Sequence, residues 1–229
     1  MVMRYEKDGG TVFDVRQGQT WKADSHQMTC ADILAVDDDD IADLTGLSDR
    51  PMLYCDPPWN AGNARSFRTK AGVDGKQGQA VDFMAIYRRV IVLMNRCALG
   101  GVIEAGIRQA PGIAEEIRTI SGRLASLVPG TYYRRAPMMY LVATVRAEEV
   151  AAVLSGMDDE DAPRAVIRLL RPTVVVDPCF GRGLTAVSCA AEGVTFRGME
   201  LNPYRVSVTL RKLRDMGYSP RPVVGTPRG

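Results

Sequence analysis

The chain has 229 residues, 46% of them hydrophobic and 24% charged, with a formal net charge of +2. That is ordinary globular composition, enough for one full-sized core and too little for two, and it excludes collagen-like, low-complexity and disordered chains. The longest uncharged apolar run, Ala136 to Val145, is about half a bilayer span, and the N-terminal MVMRYEKDGG has no apolar signal core, so a soluble, cytoplasmic protein is expected.

Five cysteines (Cys30, Cys55, Cys97, Cys179, Cys189) form no C-x-x-C pair, and His26 is the one histidine. Zinc ribbons, zinc fingers and zinc deaminases are excluded on that count, no metal is expected, and reduced thiols are the default. The charge is unevenly spread. Residues 205–229 hold six basic side chains against Asp215, and residues 60–80 hold Arg65, Arg68, Lys70 and Lys76 against Asp74. The run Asp37 to Asp40 reads as a solvated helix entry.

In chain order, residues 11–15 and 27–31 read as short strands and residues 38–47 as a short helix. PMLYC (51–55) is an apolar strand ending at Asp56. Residues 60–80 are polar, rich in Gly and Lys and aperiodic, which predicts a mobile substrate loop. Apolar residues at three-to-four spacing predict a helix over 81–99. The VIEAG strand follows, then a helix opened by Pro111 and running to about residue 127. PMMYLVATV is the core of a strand or hairpin within 132–146. Helices are expected over 147–154 and 158–170, and the β-branched TVVVD (173–177) as a buried parallel strand. A helix over 184–192, a TFRGMEL strand and a helix over 203–216 complete the alternation. This order predicts an α/β fold: a Rossmann-like single domain over 1–229, with a mostly parallel central sheet and helices on both faces.

Two motifs carry chemistry. In Asp177-Pro178-Cys179-Phe180-Gly181-Arg182-Gly183-Leu184-Thr185, a strand ends at an aspartate and a glycine turn opens a helix. The glycines permit a tight turn and close approach of a ligand, and the helix start offers free N–H groups. Glu200 in GMELNP, at the end of the next strand, is placed to accept hydrogen bonds from ribose hydroxyls. In Asp56-Pro57-Pro58-Trp59, a carboxylate, a carbonyl on a stiff backbone and an aromatic face are presented together at a strand end. That set suits an exocyclic amine, with two acceptors for its two hydrogens and a ring for stacking. Read alone, the tetrapeptide also fits a rigid turn with a core tryptophan.

Together the motifs resemble those of S-adenosyl-L-methionine (AdoMet)-dependent amino-methyltransferases. These carry a catalytic (Asp/Asn/Ser)-Pro-Pro-aromatic tetrapeptide and an Asp-Pro-Phe-x-Gly-x-Gly-Thr-Thr cofactor loop. With the catalytic motif first, the order is similar to that of the β class, which methylates adenine N6 or cytosine N4 in DNA. Cys30-Ala31-Asp32-Ile33-Leu34 resembles the element lying near the cofactor adenine, and Asp161-Ala162-Pro163 the segment leading into the cofactor strand. The resemblance spans roughly residues 30–210. Cys179 departs from the usual Phe, and Leu184 from a Thr. Only residues 60–80 and 128–160 are left for target recognition, so no separate full-size recognition domain is expected.

The resemblance implies in-line methyl transfer to adenine N6 after base flipping, with Asp56, Pro57, Pro58 and Trp59 as the catalytic set. It implies AdoMet held by Asp32, Ile33, Asp177, Pro178, Cys179, Phe180, Gly181, Gly183, Thr185, Glu200 and Asn202. Asn60, Arg65, Arg68 and Lys70 are expected to contact nucleic acid. The partner is DNA, with RNA as the alternative, and a homodimer or a partner subunit would supply missing recognition surface. Cytosine-N4 transfer and a catalytically silent partner subunit remain rival readings. A Rossmann dehydrogenase leaves Asp-Pro-Pro-Trp unexplained. Trp21 reads as core or interface and Met138-Met139 as core, while Tyr132-Tyr133 beside Arg134-Arg135 fits either a nucleic-acid grip or an amphipathic strand pair.

Overall fold

All nine strands of the computed structural model, which describes residues 13–46, 48–72 and 82–223, join one sheet. They are β1 (Thr20–Ala23), β2 (His26–Cys30), β3 (Pro51–Cys55), β4 (Gly100–Ala105), β5 (Ser126–Tyr132), β6 (Ala136–Thr144), β7 (Val174–Asp177), β8 (Thr195–Glu200) and β9 (Pro220–Pro222), and their spatial order is β5-β6-β4-β3-β7-β8-β2-β1-β9. The central five, β4, β3, β7, β8 and β2, run parallel. Both edges are antiparallel, β5 and β6 on one side and β1 and β9 on the other, so the sheet is mostly but not wholly parallel.

Side chains alternate across a strand, and here the alternation divides the core into two layers. Met52 and Tyr54 of β3, Val102 of β4 and Tyr140 of β6 face one cluster. Their neighbours Leu53, Cys55, Ile103 and Leu141 face the other. Helices α1 (Asp38–Asp43), α2 (Ala61–Lys70), α3 (Phe83–Asn95) and α4 (Ala110–Ser121) cover the second face. Helices α5 (Ala147–Leu154), α6 (Ala162–Leu170), α7 (Leu184–Ala191) and α8 (Pro203–Asp215) cover the first. In α3 the buried stripe is Ile86, Tyr87, Val90, Ile91, Leu93 and Met94, and Asp82 caps its start by accepting from the Met84 and Ala85 amides.

Four expectations are corrected. The helix from Pro111 stops at Ser121, because Gly122 takes a left-handed φ of 70°. Residues 126–132 then pair antiparallel with β6 as a strand. No strand forms at residues 13–15, and the first strand is instead Thr20–Ala23, paired with β2; residues 11 and 12 of that expectation lie outside the described residues. The stretch expected as an aperiodic loop opens with helix α2, capped by the Asn60 side chain accepting from the Asn63 amide at 2.9 Å. The rest of that expectation, residues 73–80 with Lys76, lies outside the described residues, as do Leu47 and Arg228.

Trp21 is buried on β1 with its ring edge-on to Phe13. His26 is a core residue: its Nδ1 accepts from the Phe196 amide at 3.1 Å, and burial holds its pKa below the ordinary value. Among the described residues no helix is long and apolar enough to cross a membrane.

Chain direction along the sheet reverses between β3 and β7. From β3 the chain steps to β4 on one side, and from β7 to β8 on the other. Such a reversal leaves a crevice at the carboxyl ends of the two strands, and both motifs lie there. The glycines of the second motif serve different needs. Gly181 has φ +54° and nothing closer than 4.0 Å to an added Cβ. Gly183 has φ +78°, and an added Cβ would stand 2.4 Å from Thr209 Cγ2 on α8. Gly181→Ala should therefore cost roughly 1–2 kcal/mol of left-handed strain. Gly183→Ala should cost clearly more, because a clash with α8 is added; urea unfolding of the two variants measures the difference.

Candidate active site

At the end of β3, Asp56 turns toward the crevice. The Trp59 indole Nε1 donates to its Oδ1 at 2.8 Å, and no donor among the described residues reaches Oδ2. The Pro57 carbonyl likewise receives no hydrogen bond among the described residues. Two acceptors are thus left available side by side on a backbone stiffened by two prolines. Asp56 is half-buried, and desolvation of its carboxylate pushes its pKa up to about 7 against the pull of the Trp59 hydrogen bond, with Asp177 adding to the rise.

Asp177, at the end of β7, is 2% exposed. Its Oδ2 accepts from the Thr185 hydroxyl at 2.7 Å and its Oδ1 from the Cys179 amide at 3.0 Å. Burial dominates these bonds and raises its pKa to about 7. Glu200, at the end of β8, accepts from the Gly181 amide at 2.9 Å on Oε2 and from the Asn202 amide at 2.8 Å on Oε1. Its carboxylate therefore ties the glycine turn to the start of α8. Burial raises its pKa, and Arg205, 3.9 Å away, opposes that rise.

A cleft open to solvent lies between these strand ends. Of the residues expected to hold a cofactor, Asp32, Ile33, Pro178, Cys179 and Glu200 line it, together with Asp56 and Pro58. Register explains the grouping, since β2 runs parallel to β8 with Cys30 opposite Glu200, which brings Asp32 to the same edge. The remaining expected residues do not line it. Phe180 packs edge-on to Phe196 in the core, Thr185 is spent on Asp177, and Asn202 caps α8 through the Tyr204 amide at 2.9 Å. Gly183 faces α8, so its lack of a side chain answers a packing demand within the chain.

The residues expected to grip nucleic acid also separate. Arg65 and Lys70 are exposed on α2, and Asn60 caps that helix. Arg68 points into the cleft and forms an ion pair with Asp32. Sequence reasoning missed Phe67, Ile86 and Arg205, which complete the walls. The Arg205 guanidinium lies over the Phe67 ring, 4.5 Å from its centroid, so α2 and α8 meet across the cleft. It also missed Glu104 on β4, whose Oε1 accepts from the Tyr54 hydroxyl at 2.7 Å. Burial, and then the nearby Asp56, hold Glu104 well above the ordinary carboxylate range. The available signal was a lone acid in an apolar strand.

Cys179 is a wall residue. The Cys55 hydrogen bond lowers its pKa, but burial and Asp177 outweigh it, and the net shift is upward. A thiol held protonated is a poor nucleophile.

No protein-family model matches the sequence, and a search of curated proteins found no match. Solved structures do match. One is TTHA0409 of Thermus thermophilus, a candidate DNA modification methylase in complex with AdoMet. It aligns with a TM-score of 0.55 at 14% identity, covering 83% of this chain and 93% of that one. The AdoMet complex of M1.HpyAVI aligns with a TM-score of 0.55 at 16% identity, covering 82% and 98%. This chain shares their fold.

The buried acids couple stability to pH. An unfolded Asp titrates near 3.8, whereas folded Asp177 keeps its proton to about 7. The raised pKa therefore favours the fold below the unfolded value, and that contribution is lost as pH rises through about 7. Urea unfolding at roughly pH 5 and pH 8 should show a smaller loss with rising pH for Asp177→Asn than for the wild type.

Proposed function

We propose that the chain is an AdoMet-dependent DNA methyltransferase that transfers a methyl group to the exocyclic N6 amine of adenine. The observation that carries this reading is the pair of open acceptors, Asp56 Oδ2 and the Pro57 carbonyl, beside a cleft suited to a nucleoside. The donor set fits the cofactor. Ile33, Phe67, Ile86 and Pro178 offer apolar walls for a purine, while Asp32 and Glu200 offer carboxylates for its amine and ribose hydroxyls. Each Glu200 oxygen takes one backbone amide and keeps a lone pair for a hydroxyl.

AdoMet, when bound, supplies an electrophilic methyl group on a sulfonium. The chain's part is orientation. An exocyclic amine is a weak nucleophile because its lone pair is delocalised into the ring. Asp56 and the Pro57 carbonyl would hold its two N–H bonds and turn the lone pair out of the ring plane. Trp59, fixed by its bond to Asp56, would stack on the extruded base, returning about 1–3 kcal/mol against the few kcal/mol that flipping costs. The proton released after transfer would pass to Asp56 or to water.

Nucleoside mass spectrometry after incubation with AdoMet and unmodified DNA or RNA tests the reading. N6-methyladenine in DNA is the expected product. N4-methylcytosine, or methylation confined to RNA, overturns the base or the polymer assignment. Asp56→Ala should lower turnover about 10²–10³-fold, the scale of a lost transition-state hydrogen bond, with AdoMet affinity unchanged by calorimetry. Since the acceptor must be ionised, the rate should fall as pH drops below about 7, about tenfold per unit at the limit.

A further inference from the structure

Beyond the cleft, the hairpin β5–β6 reaches the same edge of the sheet. Ala105, the last residue of β4, pairs with Met139, and Tyr132 pairs with Ala136. The turn Tyr133-Arg134-Arg135 therefore projects past the strand ends where Asp56 lies. A file of aromatic rings connects the two. Trp59, bonded to Asp56, has its ring centroid 4.7 Å from Tyr132, and Tyr132 lies 4.4 Å from Tyr133. Tyr133 is 54% exposed.

The backbone of this turn is costly. Tyr133 and Arg134 have φ of 50° and 56°, two consecutive large residues in the left-handed region, each a strained position. Two buried carboxylates hold them there. Asp159 Oδ1 accepts from the Tyr133 amide at 2.7 Å, and Asp158 Oδ2 accepts from the Arg134 amide and, at 2.9 Å, from the Thr131 hydroxyl. Those carboxylates, on residues 8% (Asp158) and 4% (Asp159) exposed, are committed to the turn's amides and the Thr131 hydroxyl and form no ion pair with the turn's arginines. Arg134 and Arg135 are exposed, and no ion pair holds them among the described residues. A plain hairpin needs neither the strain nor the acid pair, since Gly or Asn would turn the chain at lower cost.

We propose that this turn binds the target strand next to the extruded base, with Tyr133 stacking on a neighbouring base and Arg134 and Arg135 taking phosphates. The inference rests on the nucleic-acid methyltransferase reading and gives that reading its strand-binding surface. A half-exposed aromatic side chain beside two guanidinium groups that no described carboxylate pairs suits a single strand, whose bases present π-faces and whose backbone is anionic. Preorganisation of the turn by Asp158 and Asp159 spares the complex the entropy of ordering it.

Fluorescence anisotropy with labelled single-stranded and duplex adenine-containing oligonucleotides, over a salt series, tests it. Tyr133→Ala should weaken single-strand binding about tenfold, while Tyr133→Phe should bind like the wild type. The double variant Arg134→Gln/Arg135→Gln should reduce the slope of log affinity against log salt by about 1.4, the value for two single-strand phosphates. AdoMet affinity, measured by calorimetry, should be unchanged in all three, which excludes misfolding as the cause. If the alanine and double variants bind DNA with wild-type affinity and salt slope while the wild type methylates DNA, the turn is not the strand-binding surface and the methyltransferase reading stands. If the wild type neither binds nor methylates any DNA, the reading itself falls. If Tyr133→Ala also loses AdoMet binding, the double variant and Tyr133→Phe decide the question.

Discussion

The parallel pairing of β3 with β7 is the constraint on which everything else in this molecule depends. Pro51 opposite Val174 and Leu53 opposite Val176 set their register. Because the chain leaves these neighbours in opposite directions, the switch point of the sheet lies between them, at their carboxyl ends. The crevice so formed brings together Asp56 and the Pro178–Cys179 turn, residues more than 100 positions apart in the chain. A slip of one residue in this register would turn the shifted strand's side chains to the wrong faces, and Leu53 and Val176 would no longer share a layer.

Placing acids at that crevice has an electrostatic consequence. Asp56, Glu104, Asp177 and Glu200 lie near one another at or under the cleft floor, and burial raises the pKa of all four. Each has a donor suited to its place: an indole N–H for Asp56, a phenol for Glu104, a hydroxyl and an amide for Asp177, and two amides for Glu200. Asp177 spends both oxygens inside the fold and acts as scaffolding, while Glu200 lines the cleft and carries one amide on each oxygen. Asp56 spends one and leaves the other toward the cleft, so its place in the hydrogen-bond network marks it out for chemistry. Arg205 and Arg68 are the cations that offset the acidic floor, one beside Glu200 and the other paired with Asp32.

Much of the fold was legible because its signals are local. The apolar strand before Asp56, the β-branched strand before Asp177, the stripe of α3 and the left-handed glycines of the cofactor-like turn all follow from side-chain period and backbone freedom within a few residues. The failures were local signals overridden at a distance. Residues 122–127 read as a helix continuation, yet the chain turns at Gly122 and strand pairing with β6 claims the segment from Ser126 onward. Internal partners were not legible either: Phe180 meets the Phe196 ring and Thr185 donates to Asp177.

The sequence by itself determined the α/β alternation, the two motifs and the identity of Asp56 and Glu200 as residues that matter, because turn chemistry and hydrophobic period are written in consecutive residues. Only the tertiary structure decided which of the named residues face the cleft, that Arg68 and Arg205 close it, and that Tyr132 continues the ring of Trp59 toward the surface. Those outcomes depend on strand order and register. Sheet neighbours are chosen by packing across the whole chain, and neighbouring residues along a single segment hold no record of that choice.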